Sequence, residues 1–227
     1  MSTVVDQPAA AVVVEDAPAT LSAKLRAGTR AQHETAETQG FITRLMRGEL
    51  NRAAYADFLA QHHAIYVALE ESGSALRAAG ADAGIVLDEL VRVPSLEADL
   101  EFLFGAQWRT EIDILPATHA YAARLRELDS WLGGWVAHAY TRYLGDLSGG
   151  QVIRTMLQRH YGFESDGVTF YHFAEIAKPK VFKDVYRERL DALPFDDAEH
   201  ERVVAEAQRA FELNTALFRE LGVRHPA

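Results

Sequence analysis

The segment WVAHAYTRYLGDLSGGQVIRTMLQRHY, residues 135–161, indicates a helical fold class, because both of its ends have helical periodicity. Three closely spaced glycines lie between these ends. Gly145, Gly149 and Gly150 stand at i, i+4 and i+5, and each glycine inside a helix costs about 1 kcal/mol relative to alanine. This cluster indicates a kink between two helices, close helix packing, or a flat or bulky ligand lying on bare backbone. The residues alone leave these alternatives open.

The string LSGGQ within this segment, residues 147–151, is also found in the signature loop of transporter ATPases. Such an ATPase needs a phosphate-binding loop of the form GxxxxGK[ST], and the dipeptide Gly-Lys occurs nowhere in this chain. The alternation of strands and helices that an ATPase requires is absent from the pattern as well. An ATPase function is therefore rejected.

Composition excludes several other classes of protein. The chain of 227 residues has a formal net charge of −10, which disfavours non-specific binding to nucleic acid. It contains no cysteine, which excludes disulfides, thiolate zinc sites, cysteine-ligated iron–sulfur clusters and a catalytic thiol. No apolar run approaches the roughly 18–20 residues of a membrane-spanning helix. We expect a cytoplasmic protein without a membrane anchor, preceded by a disordered arm at residues 1–19.

Helical periodicity extends over nearly all of the remaining chain and predicts a single all-α domain over residues 20–222, with a short tail at 223–227. Thr20 or Ser22, Asn51 and Ser95 are the predicted N-caps, and Pro116 suits the first turn of a helix. The predicted helices cover residues 20–38, 52–79, 86–91, 96–104, 116–132, 135–161, 171–176, 179–193 and 197–221.

One face of the first predicted helix carries four polar side chains. Arg26, Arg30, His33 and Glu37 are spaced i, i+4, i+7 and i+11 and therefore share that face. A lone histidine in such a place is most often an ordinary surface residue. The alternative is that this histidine is the single axial ligand of an iron porphyrin. A lone histidine fits haem iron better than it fits zinc, because a zinc site takes three or four protein ligands.

Six blocks in this order make the chain similar to the haem oxygenase family. They are TRAQHETAE at 29–37, IYVALEE at 65–71, AYTRYLGDLSGGQ at 139–151, FYHFAEIA at 170–177, FKDVYRERL at 182–190 and FELNTALFREL at 211–221. The resemblance spans about residues 20–222, the haem oxygenase domain. It implies a helical bundle that holds haem b between a proximal and a kinked distal helix. It also implies O2-dependent opening of the ring to biliverdin, with release of iron and carbon monoxide.

The resemblance also assigns roles to individual residues on both faces of the haem. His33 matches the proximal iron ligand, and Glu37 matches a carboxylate that orients it. Gly145 and Gly149 match the distal helix, where bare backbone approaches the haem. Asp146 matches a distal carboxylate that, in the family, organises a network of water near the iron. Arg142 and Tyr66 match two further members of that network.

A third group of residues resembles the clamp on the haem propionates. Lys183 and Arg187 match this clamp together with Tyr140 and Arg26, where arginine replaces a more usual lysine. Relatives with this clamp usually cut at the α-meso carbon, so we expect α cleavage here. Phe211 and Phe218, seven residues apart, are expected to pack toward the core or the haem pocket. His62 and His63 point about 100° apart on a helix and are interpreted as structural.

Two alternatives remain at this point. The first is a haem carrier or sensor of the same fold that does not cut the ring, and the second is a helical interaction module without a cofactor. The sequence has no GxGxxG motif, so an oxygenase would take electrons from a partner: a ferredoxin, a flavodoxin or an NAD(P)H-linked reductase. Iron acquisition and bilin supply are both compatible with a bacterial enzyme of this kind.

Overall fold

The computed structural model describes residues 19–226, which form eleven α-helices, two 3₁₀ turns and a π-helical turn, with no strand in this range. The helices are α1 (Leu21–Gly28), α2 (Arg30–Glu37), α3 (Gly40–Met46), α4 (Arg52–Ala78), α5 (Val93–Phe104), α6 (Trp108–Glu111), α7 (Pro116–Arg126), α8 (Leu132–Gly145), α9 (Gln151–Tyr161), α10 (Pro179–Asp191) and α11 (Asp197–Arg224). The all-α prediction is confirmed. Residues 1–18 of the predicted arm lie outside the described residues.

Helix α4 is buried on most of its circumference and packs against α5, α7 and α8. Asn51 is its N-cap, as predicted: the side-chain oxygen accepts a hydrogen bond from the Ala54 amide at 2.9 Å. Tyr55 and Tyr66, more than two turns apart on this helix, are both fully buried. The helix therefore supplies Tyr66 to the interior from a rigid element.

Helix α11 is the second long support of the fold and contacts α8, α7, α1, α2 and α3. Asp196 caps it, accepting from the Glu199 amide at 2.8 Å. The helix was predicted to end at Leu221 but continues to Arg224, through residues that the sequence assigned to a short tail. Arg224 and His225 both bind the Asp57 carboxylate of α4, and these contacts hold the last turn against the core.

The first predicted helix is in fact two helices, which corrects the prediction of one helix over residues 20–38. Thr20 caps α1, and the backbone leaves helical geometry at Thr29, with φ −106° and ψ 2°. The Thr29 hydroxyl donates to the carbonyl of Leu25 at 2.8 Å, a local bond that competes with continuation of the helix. His33 consequently lies on a separate short helix, α2, which packs against α11.

Several other helix assignments differ from the predictions. Helix α5 begins at Val93 rather than after Ser95, because the carboxylate of Glu70 on α4 accepts from the Arg92 and Val93 amides at 2.6 and 3.2 Å. The helices predicted near residues 86–91 and 171–176 are only the 3₁₀ turns Asp88–Leu90 and Thr169–Tyr171. Helix α7 ends at Arg126 instead of about residue 132.

The glycine-containing segment is not a uniform helix. Helix α8 passes directly into the π-helical turn Asp146–Gly150, and α9 follows without a break in the helical path. Such single π turns occur inside α-helices mostly at functional sites. No helix among residues 19–226 is long and apolar enough to cross a membrane.

Candidate functional site

His33 is the predicted proximal ligand, and its side chain is 52% exposed. Its Nδ1 lies 3.4 Å from Oε2 of Glu37, one turn further along α2. The ring of Phe211, on α11, meets the imidazole edge-on at a centroid distance of 5.6 Å. Among residues 19–226 no group of three or more histidines, cysteines or acids could hold a metal ion.

The three glycines of the distal segment have different surroundings. A Cβ built at Gly145 or Gly149 would meet no atom within 4 Å, and both glycines are exposed. A Cβ built at Gly150 would lie 2.9 Å from Cδ1 of Tyr171. Gly150 is therefore required for internal packing, whereas Gly145 and Gly149 leave bare backbone facing open space.

Asp146 lies at the start of the π-helical turn, between these glycines. Its carboxylate accepts a hydrogen bond from the hydroxyl of Tyr66. Burial raises the pKa of Asp146 to about 6, an effect that the nearby Arg142 and the Tyr66 hydrogen bond partly offset. The carboxyl group can therefore exchange a proton near neutral pH.

Arg142 is buried beside Asp146, one turn earlier on α8. Its Nη1 donates to Oδ1 of Asn214 at 2.7 Å, and its guanidinium lies 5.0 Å from the centre of the Tyr66 ring. Burial opposes the charge, yet the pKa of Arg142 is raised because Tyr66, Tyr121 and Asp146 surround it. Its Nε has no hydrogen-bond partner within the protein, which leaves one buried donor for a water molecule.

A group of basic side chains lies beside the open glycines. Nζ of Lys183, on α10, donates to Oγ of Ser148 in the π-helical turn at 2.8 Å. Arg187 bonds Asp184 on its own helix at 2.8 Å. Burial raises the pKa of Tyr140, and the positive charges of Arg187 and Arg26 act against that rise.

Helix α11 connects the two sides of this region. Phe211 contacts the ring of His33, and Asn214, one turn later, accepts from Arg142. Phe218 instead stacks on Phe58 in the core, at a centroid distance of 6.1 Å. Asn214 therefore links α11 to the Asp146 cluster, whereas Phe218 has only a packing role.

The two adjacent histidines of α4 make structural contacts. His62 is buried, with Nδ1 2.8 Å from the carbonyl oxygen of Phe58, and burial lowers its pKa well below the usual value. His63 lies 3.4 Å from the carboxylate of Glu97 and packs edge-on against Trp108. The charge of Arg142 also lowers the pKa of His62.

Sequence reasoning missed three residues near Asp146. Gln151 Nε2 donates to the carbonyl of Tyr171 at 2.7 Å, and Tyr171 packs on Gly150. The charge of Arg92 lowers the pKa of Asp146 from outside the glycine segment. The letters YLGDLSGGQ and FYHFAEIA contain the first two residues, but no local pattern indicates that the two segments touch.

Known proteins are similar to this chain over most of its length. A family model described as "Heme oxygenase" matches residues 19–220. Heme oxygenase 1 of Synechocystis sp. is 39% identical over 202 residues, covering 88% of this chain and 84% of the relative. Heme oxygenase 1 of Homo sapiens is 38% identical over 208 residues, covering 90% and 72%.

Solved structures show the same fold. The crystal structure of heme oxygenase-1 from the cyanobacterium Synechocystis sp., in complex with heme, superposes with a TM-score of 0.85 at 37% identity, covering 91% of this chain and 94% of the other. Heme oxygenase-2 from the same source, in complex with heme and NO, gives 0.84 at 34% identity, covering 91% and 86%. The chain therefore belongs to the haem oxygenase family.

Proposed function

We propose that this protein opens haem to biliverdin, with release of Fe²⁺ and carbon monoxide, using O2 and electrons from an external donor. The observation that carries the proposal is the pair of open glycines on either side of Asp146, a carboxyl group with its pKa raised to about 6. A plain haem carrier needs an iron ligand and an apolar slot, but it does not need a proton-exchanging carboxyl group held beside the iron.

The residues present fit a haem group. Bare backbone at Gly145 and Gly149 admits a flat ring at a distance that side chains would forbid. The half-exposed imidazole of His33 is available as an axial ligand, and Glu37 is placed to orient it through Nδ1. Among residues 19–226 the buried Nε of Arg142 has no acceptor, so a water molecule would satisfy this donor.

In this proposal, haem supplies the iron that activates O2 and also the ring that is opened. The chain's own residues control water and protons beside it. Asp146 holds and exchanges a proton, Tyr66 donates to its carboxylate, and the charge of Arg142 limits the rise of its pKa. Asn214 keeps Arg142 in place from α11.

The basic group beside the glycines would hold the haem propionates. Lys183, Arg187, Arg26 and the hydroxyl of Tyr140 supply positive charge and hydrogen-bond donors suited to carboxylates. The rotation of the ring in its plane decides which meso carbon faces the oxygen, so the clamp sets the product isomer. We propose α-meso cleavage, on the basis of the resemblance of this clamp to those of related enzymes.

Loss of the clamp should change the product. We expect the double variant Lys183→Ala/Arg187→Ala to bind hemin roughly tenfold more weakly, a loss of about 1.4 kcal/mol, and to release a mixture of biliverdin isomers. Chromatography of the isomers measures the outcome. Arg189→Ala, which removes an exposed arginine from the same helix, is the matched control and should leave the isomer unchanged. A single isomer from the double variant would contradict the clamp assignment.

The glycines provide a second test that separates binding from folding. Gly145 has ordinary helical geometry, with φ −60° and ψ −50°. Gly145→Ala should therefore leave the haem-free protein as stable as the native one, or up to about 1 kcal/mol more stable. Its hemin affinity should fall roughly tenfold, because the methyl group enters the space proposed for haem.

Gly150→Ala is the matched control for Gly145→Ala. Its Cβ would meet the ring of Tyr171 at 2.9 Å, so we expect a loss of about 1–3 kcal/mol in unfolding free energy. Chemical denaturation without haem and hemin titration measure the two effects. Unchanged hemin affinity in Gly145→Ala would show that haem does not lie on this backbone.

The electron donor is proposed to dock near the exposed edge of the site. Lys178 and Lys180 are exposed at the start of α10, close in sequence to Lys183. This basic surface on an acidic protein suits an acidic donor such as a ferredoxin or flavodoxin. Reversing the charge of Lys178 and Lys180 should slow electron transfer most at low ionic strength. The cytoplasmic location expected from the sequence remains a prediction.

Hemin titration followed by turnover tests the function itself. One equivalent of hemin should give a sharp Soret band, and a reductase system with O2 and catalase should then replace it with biliverdin absorbance. A Soret band that persists under these conditions would favour a haem carrier or sensor instead. Failure to form a stoichiometric complex would leave only the fold and family assignments.

A further inference from the structure

The 3₁₀ turn Thr169–Tyr171 packs against the π-helical turn on the face that Gly150 presents, whereas Gly145 and Gly149 present open space. A Cβ built at Gly150 would lie 2.9 Å from Cδ1 of Tyr171 and 3.5 Å from Cβ of Asp146. The ring of Tyr171 and the stem of Asp146 therefore flank the same point. Any movement of this ring would change the space in which Asp146 is held.

The side-chain amide of Gln151 contacts backbone carbonyl groups of both turns. Its Nε2 donates to the carbonyl oxygen of Tyr171 at 2.7 Å and lies 3.5 Å from that of Asp146. Gln151 is the first residue of α9, directly after Gly150. The side chain thus anchors the end of the π-helical turn to a segment about twenty residues further along the chain.

The hydroxyl of Tyr171 is a buried donor without a partner. The residue is 1% exposed, and its oxygen forms no hydrogen bond to any part of residues 19–226. Buried hydroxyls are almost always paired with protein or ordered water. Burial raises the pKa of Tyr171, and the negative charge of Asp146 raises it further, so the two groups are electrostatically coupled.

We propose that Tyr171 and Gln151 are positioning residues for the Asp146 carboxyl group, and that the Tyr171 hydroxyl donates to that carboxyl group through a water molecule. The role in catalysis rests on the proposed function, but the contact itself does not. The Tyr171 hydroxyl would be a second donor to the Asp146 carboxyl group, in addition to Tyr66. This second donor lies on the side of the π-helical turn opposite to the side proposed for haem.

Other charged and titratable groups also act on Asp146, and the test must separate Tyr171 from them. They come from α4, α8, α7 and the loop before α5: Tyr66, Arg142, Tyr143, Tyr121 and Arg92. A substitution that removes only one hydroxyl leaves the remaining groups in place.

Tyr171→Phe in the full-length, haem-free protein is that substitution. Carboxyl-carbon NMR, with Asp146 assigned through Asp146→Asn, measures the pKa directly. Loss of a donor to the ionised form should raise the pKa of Asp146 by about 0.5–1 unit, the equivalent of one net hydrogen bond. Above the pKa of Asp146, the unfolding free energy should fall by the equivalent of this shift, because the hydroxyl stabilises the ionised carboxylate only in the folded protein.

Tyr186→Phe is the matched control. Tyr186 is also 1% exposed, and its hydroxyl also lacks a partner, but burial alone raises its pKa, without a contribution from Asp146. We expect no change in the pKa of Asp146 in this variant. An unchanged pKa in Tyr171→Phe, or an equal shift in both variants, would overturn the proposed donor.

Gln151→Met tests the backbone tie. Loss of one hydrogen bond should speed hydrogen exchange at the amides of residues 146–150 by about fivefold. Unchanged exchange would overturn the assignment of Gln151. If the pKa shifts as expected but the native protein does not convert hemin, the positioning contact stands and the proposed function fails. If the native protein converts hemin and the pKa does not shift, the proposed function stands and the positioning contact fails.

Discussion

Replacing His33 with alanine should abolish the sharp Soret complex with hemin and reduce biliverdin formation by at least about 100-fold. Substitution of an outer-shell partner of a metal typically costs 10–100-fold, and loss of the ligand itself should cost more. The fold should survive, because the side chain is half exposed and its ion-pair partner Glu37 is exposed as well. Absorbance titration and circular dichroism measure the two properties.

Added imidazole provides the control for this variant. If His33 acts only as the axial ligand, free imidazole should enter the space left by alanine and restore much of the Soret band. Glu37→Gln should have a smaller effect, about tenfold at most, because the carboxylate is exposed and acts only through Nδ1 of His33. A normal Soret band in His33→Ala without imidazole would show that another group binds the iron.

Asp146→Asn should separate haem binding from ring opening. The amide keeps the size of the carboxyl group but cannot exchange a proton, and positioned proton transfer typically contributes at least about 100-fold to a rate. Biliverdin formation should therefore fall roughly 100-fold, whereas hemin affinity should change less than about threefold. Single-turnover absorbance measurements and hemin titration measure the two effects.

Tyr66→Phe is the graded control for Asp146→Asn. It removes the hydroxyl that donates to the carboxylate but leaves the carboxyl group and Arg142 in place. We expect a loss of about tenfold in biliverdin formation, because one hydrogen bond to a charged group contributes about 1.5 kcal/mol or more. Turnover of Asp146→Asn within threefold of the native rate would remove Asp146 from the proposed proton pathway.

Much of the fold could be predicted from local features of the chain. Asn51 caps α4 because its side chain reaches an amide three residues away, and the positions of Lys183 and Arg187 on one face follow from the helical repeat. The glycine cluster indicated a special segment because glycine is costly in a helix. In each case the physical cause lies within a few residues of the feature itself.

Two helix boundaries were predicted wrongly because a distant residue overrides local preference. Ser95 is a good N-cap in isolation, but Glu70 of α4 binds the amides of Arg92 and Val93, so α5 begins earlier. Helix α11 passes its predicted end because Arg224 reaches Asp57 across the fold. The sequence contains all of these residues but gives no sign of their pairing.

The candidate site divides in the same way. The amino-acid sequence alone determined the helical class, the spacing of His33 and Glu37, and the presence of three glycines around Asp146, since these depend on helical repeat and backbone preference. Only the tertiary structure decided that Gly145 and Gly149 face open space whereas Gly150 packs on Tyr171. It also decided that Asn214 meets Arg142. Helix packing sets these contacts, because they join residues tens of positions apart, beyond the reach of any local preference.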